Sequence, residues 1–85
     1  MSKGGYMFTN KAKDGRNNIC GIKIAELRKA MGISQRELAD KMQLAGIDMD
    51  KNAVQRIEQG KRFVTDIELK VFAVVLSVDI NELVK

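Results

Sequence analysis

Two tetrapeptides, Ser34-Gln35-Arg36-Glu37 and Thr65-Asp66-Ile67-Glu68, constrain this chain more than any other feature. Each has the form of a capping box. A hydroxyl accepts from the amide three residues on, and the glutamate at that position returns to the amide of the cap. Such a box opens a helix, so two helices start about thirty residues apart, with room between them for one more short helix at ~1.5 Å rise per residue. Asp50 and Asp79 are further N-cap residues, and glycines at 32, 46 and 60 stand where helices would stop.

Hydrophobic periodicity fills in the elements between these signals. Ile24, Leu27 and Met31 share one face of a first helix. Leu38, Ala39, Met42 and Ala45 do so for a second over residues 35–45. Asp50 caps a third over 51–59, with Val54 and Ile57 inward and Met49 closing over its first turn as a staple. The run Val71-Phe72-Ala73-Val74-Val75-Leu76 has strand-like β-branched content. The capping box before it and the lack of a partner strand favour a fourth helix. Asp79 opens a short last one through Ile80, Glu82 and Leu83. The expected fold is all-α, five helices over residues 19–85. Residues 1–18, rich in glycine and asparagine, read as a flexible basic tail rather than an ordered arm.

Composition narrows the chemistry. The 85 residues hold 15 basic and 11 acidic side chains, no histidine, proline or tryptophan, and one cysteine. Without histidine the commonest general base and metal ligand is missing, and Cys20 alone makes neither an internal disulfide nor a thiolate cage. No phosphate-binding glycine loop and no nucleophile–base pair is present, so no enzyme activity, cofactor or metal is expected. Cys20, at an expected helix N-terminus, is a candidate for a lowered pKa. A small half-buried residue is the plainer reading. No apolar run approaches the ~20 residues of a membrane span, and no N-terminal stretch resembles a signal peptide, so a cytoplasmic protein is expected. The charge is uneven. Residues 19–62 carry nine basic and six acidic side chains, whereas 63–85 carry two and four.

The helices at 35–45 and 51–59 are joined by a turn containing glycine, the layout of a helix-turn-helix unit. In such a unit the second helix enters the major groove. The outward residues of 51–59 are Lys51, Asn52, Gln55, Arg56 and Gln59, and these side-chain types can match base edges. Periodicity alone describes an ordinary solvated helix face equally well.

Several segments, in order, resemble a known family. Leu27-Arg28-Lys29, Gly32 through Ala39, Val54 through Arg62 and Ser77 through Leu83 together look like the lambda-repressor-like (Xre-type) helix-turn-helix domain, spanning Ile24 to Leu83. The resemblance implies a sequence-specific regulator of transcription, of repressor type, bound to double-stranded DNA at a palindromic operator. It implies that Gln35 opens the second helix against the DNA backbone, with Arg36 beside it. Lys51, Asn52, Gln55 and Arg56 would face the bases, Gln59 would join the DNA-binding set, and Lys61 and Arg62 would face the phosphates. Arg28 and Glu58 match a structural ion pair between the first and third helices.

Relatives of this type commonly dimerise, and Val71, Val74, Val75, Ile80 and Val84 form an apolar surplus suited to a homodimer contact. Completion of the domain's own core is the competing use. No small-molecule ligand or membrane partner is implied. A protein-interaction module, such as an antitoxin-type subunit on the same fold, is the alternative function. Two departures stand out: the stretch Met42–Asp50 is longer than the family's usual turn, and Ser77 replaces the glycine frequent before the last helix.

Overall fold

The computed structural model describes residues 14–85, and among them five helices follow one another with no strand. They are α1 Gly21–Ala30, α2 Gln35–Leu44, α3 Lys51–Glu58, α4 Asp66–Val75 and α5 Ile80–Leu83. Both capping boxes are formed. The Ser34 hydroxyl accepts from the Glu37 amide at 3.0 Å, and the Thr65 hydroxyl from the Glu68 amide at 3.1 Å. In return, Glu37 and Glu68 carboxylates accept from the Ser34 and Thr65 amides at 2.8 and 3.0 Å. Asp50 and Asp79 cap α3 and α5, accepting from the amides of Ala53 and Asn81.

One apolar core joins all five helices. Ile24, Leu38, Met42, Val54, Ile57 and Phe72 are wholly buried in it, and Met49 packs into it from the turn before α3. In α4 the inward stripe is Phe72 and Ala73, with half-buried Leu69 before them and the buried C-cap Leu76 after them at helical spacing. The β-branched run is therefore helical, with Val74 turned outward at 75% exposure. The most extensive helix–helix contact is between α2 and α3.

Three expectations need correction. Met31 lies beyond the last turn of α1, as its C-cap, and is exposed; Ala45 is the exposed C-cap of α2. Both continue the helical spacing in sequence, yet neither side chain reaches the core. The third concerns the N-terminal boundary. Residues 1–13 of the expected tail lie outside the described residues, but 16–18 belong to the folded unit. The Asn17 amide donates to the Gly60 carbonyl at 2.8 Å, and Asn18 is buried, its Oδ1 accepting from the Gly21 amide at 2.8 Å. That last bond satisfies one of the free amides at the start of α1.

Where a backbone demand is special, the residues answer it unequally. Gly21 sits so close to the Ile57 carbonyl that a side chain there would collide with it, which lets α1 start against the end of α3. Ser77 adopts the left-handed conformation at φ +59, the position where the family resemblance expects glycine.

Candidate nucleic-acid interface

Helix α3 is short and strongly two-sided. Val54 and Ile57 are fully buried beneath it, while Lys51, Asn52, Gln55, Arg56 and Gln59 stand exposed on the other side. Gln59 is the C-cap rather than part of the helix. The first turn holds no acidic residue, and Lys51 occupies its first position. A cation there opposes the helix dipole, whose positive end is at the N-terminus. Lys51 thus stands against the helix dipole, beside the Asp50 carboxylate that caps α3.

What orients this face is a single carboxylate. Arg28 of α1 grips Glu58 with Nε on Oε2 at 2.7 Å and Nη2 on Oε1 at 3.1 Å. Gln35 of α2 donates Nε2 to the same Oε1 at 2.9 Å. The remaining Arg28 nitrogen, Nη1, donates to the Ile33 carbonyl at 2.8 Å. The paired side chains are only 11% and 8% exposed, so water does little to compete with this fork. Three helices meet at the last residue of α3. Gln35 is accordingly half-buried and committed inward, whereas Arg36, the next residue, is exposed.

The two basic residues after α3 differ. Lys61 is exposed, with its side chain turned to solvent. Arg62 is tied back into the fold: Nη1 and Nη2 donate to the two Glu68 carboxylate oxygens at 3.0 and 2.9 Å, and Nη1 also to the Phe63 carbonyl. Arg62 holds the Glu68 carboxyl below its ordinary range, opposed by burial and helped by the Thr65 amide. The guanidinium of Arg62 is raised in turn, chiefly by the same hydrogen bonds. Lys61 thus stands free at the surface, whereas Arg62 is paired with Glu68 while its side chain stays 29% exposed.

Between α2 and α3 lies an open polar groove of about 310 Å³, lined by Arg36, Ala39, Asp40, Gln43, Asp50 and Lys51. The longer turn is braced beside it by Gln43, whose Nε2 donates to the Met49 carbonyl at 2.8 Å. Cys20 is buried, and burial pushes its thiol up to about 11, outweighing the lowering by its own backbone hydrogen bond and Arg16. The lowered pKa entertained from its place at a helix start is thus reversed, since desolvation dominates. Among the described residues no cluster of three or more His, Cys, Asp or Glu side chains could hold a metal. None of the described helices is long and apolar enough to cross a membrane.

One part of the site had almost no sequence signal. Arg16 donates Nη2 to the carbonyls of Glu58 at 2.7 Å and Ile57 at 3.4 Å. Asn18 donates Nδ2 to Ile57 and Arg62 carbonyls at 3.0 and 2.8 Å, and Asn17 to that of Lys61 at 3.0 Å. These partners are some forty residues away in sequence, beyond the reach of any local pattern. Asn18 alone, a capping residue shortly before a helix, carried a recognisable hint.

An amphipathic three-helix junction presenting one polar, partly cationic helix face defines the class: a helix-turn-helix domain. The helix-turn-helix family model HTH_3 matches residues 24–83. The chain belongs to this family, of lambda-repressor-like (Xre) type, a family of DNA-binding transcriptional regulators. The chain is also similar to the restriction-modification controller protein C.AhdI from Aeromonas hydrophila, whose crystal structure superposes with a TM-score of 0.65. The two are 32% identical, over 74% of this chain and 84% of that one. No curated protein matches the chain.

Proposed function

We propose that this protein regulates transcription, as a repressor, by placing α3 in the major groove of a palindromic operator. The observation that carries this reading is the exposed polar face of α3, held from behind by the Arg28–Glu58–Gln35 junction. Arg56 can donate to both acceptors of guanine, and Asn52, Gln55 and Gln59 can match the donor–acceptor pair of adenine. Arg36 and Lys61 supply exposed cations for the phosphates, Lys51 stands with the base-facing residues of α3, and Gln35 acts from behind through Glu58. Phosphate neutralisation gives affinity that weakens with salt, and base contacts add the discrimination.

One α3 reads only a few base pairs, so a dimer on two half-sites is the natural working unit. The surface that suits it lies on the C-terminal helices. Ile67, Val74 and Val84 are 64%, 75% and 38% exposed, with Val71, Val75 and Ile80 half-buried beside them. The acidic balance of this region suits a face turned from DNA. Similarity to a restriction-modification controller protein supports the regulatory role. Selection of duplexes from a random pool tests the proposal. An enriched palindrome is the expected outcome. Salt-sensitive binding without enrichment would replace it with a protein-interaction role for the same fold.

A further inference from the structure

The recognition helix is held at its side chains by Arg28 and Gln35, but it is also held at its backbone. The carbonyls that end α3 and begin the next loop run from Ile57 to Arg62. All but that of Gln59 accept a hydrogen bond from Arg16, Asn17 or Asn18. A helix C-terminus leaves such carbonyls without intrahelical partners, and a cation beside them also complements the negative end of the dipole. The fit is close. A side chain at Gly60 would run into the Arg16 side chain, with its Cβ only 2.7 Å from Cζ. Asn18 works in two directions at once, Oδ1 on the first turn of α1 and Nδ2 on the last turn of α3.

We propose that residues 16–18 form a strap that sets the tilt and register of α3, making Arg16 and Asn18 positioning residues for sequence discrimination although neither is on the base-reading face. The inference rests on the DNA-binding reading above and adds a second level to it. Base readout needs side chains placed to within fractions of an ångström. Buried Val54 and Ile57 and the Glu58 junction hold α3 by its side chains, and the strap adds attachment at its backbone. Phosphate contacts, which tolerate small rotations, depend on it far less.

The test uses the full chain and two variants that break the strap differently. Arg16→Ala removes the bonds to Ile57 and Glu58. Asn18→Asp keeps an acceptor for the Gly21 amide but replaces the donor to Ile57 and Arg62 with a carboxylate oxygen. Leu69→Ala, in α4, serves as a control with a general loss of stability. Affinity is measured for a duplex enriched from a random pool and for a scrambled duplex at one salt concentration, well below each variant's Tm. The expected result is that both strap variants lose about tenfold in the ratio of enriched to scrambled affinity. Scrambled-duplex affinity stays within about twofold, and Leu69→Ala keeps the wild-type ratio. Should Asn18→Asp fail to fold, Arg16→Ala decides alone. An unchanged ratio in Arg16→Ala, or an equal loss in Leu69→Ala, overturns the strap while leaving DNA recognition by α3 intact. A wild-type chain that fails to prefer the enriched duplex overturns the DNA reading itself, and the strap's role with it.

Discussion

At the scale of single residues, charge alone is a poor guide to role. Lys61 and Arg62 are adjacent and alike in sequence, yet one faces solvent and the other forms a fork with Glu68. Lys61→Ala should weaken binding to every duplex equally and make the salt dependence shallower by about one unit of slope. Binding titrations at several salt concentrations check this. Arg62→Ala should leave that slope unchanged and instead lower the Tm. Glu68 gives the same pair a pH signature. Its folded pKa lies below the ordinary value of 4.5, so its contribution is present at neutral pH and lost as pH falls through the folded value. Glu68→Gln should therefore lower the Tm at pH 7, with the gap to wild type closing as acid protonates the native carboxylate. Thermal melts from pH 7 down to about pH 3 would show it; a gap independent of pH would assign the loss to something other than the carboxylate's charge. Residue identity made the capping role of Glu68 legible, but not its second partner, because a box explains the glutamate before Arg62 is considered.

At the scale of elements, the helices were legible because their signals are local. Capping boxes act over three residues, and the stripes of α2, α3 and α4 repeat within two turns. Where a stripe runs past a helix end, as at Met31 and Ala45, the spacing persists but the geometry does not. The strap was illegible for the opposite reason: its asparagines and arginine look like tail composition until α3 supplies carbonyls for them. How the helices are joined carries two further expectations. Glu58→Ala leaves Arg28 nearly buried without its carboxylate, and should cost about 3 kcal/mol, at the low end for a broken buried pair. Denaturant unfolding measures it, and unchanged stability would mean the junction does not organise the helices. Ser77→Gly relieves the left-handed strain between α4 and α5 and should stabilise by about 0.5–1 kcal/mol, offset in part by the extra freedom of glycine in the unfolded chain. A rise in Tm is the readout.

At the scale of the molecule, the modest net charge of +4 conceals an arrangement. Lys51, Arg56 and Lys61 project from or just after α3, while the glutamate of that helix is consumed by Arg28. Acidic residues and exposed valines gather on the C-terminal helices. If those valines form the dimer contact, Val74→Asp should yield monomers by sedimentation with a Tm close to wild type, because the side chain is largely exposed. Wild-type protein that stays monomeric at high concentration would remove that face from the account. Base reading by α3 hinges on Arg56, whose removal is its sharpest probe. Pool selection run in parallel on wild type and Arg56→Ala should give the same palindrome with one position relaxed symmetrically in each half-site, a loss of roughly 1–3 kcal/mol of discrimination there. An unaltered motif, or an equal loss on enriched and random duplexes, would contradict it.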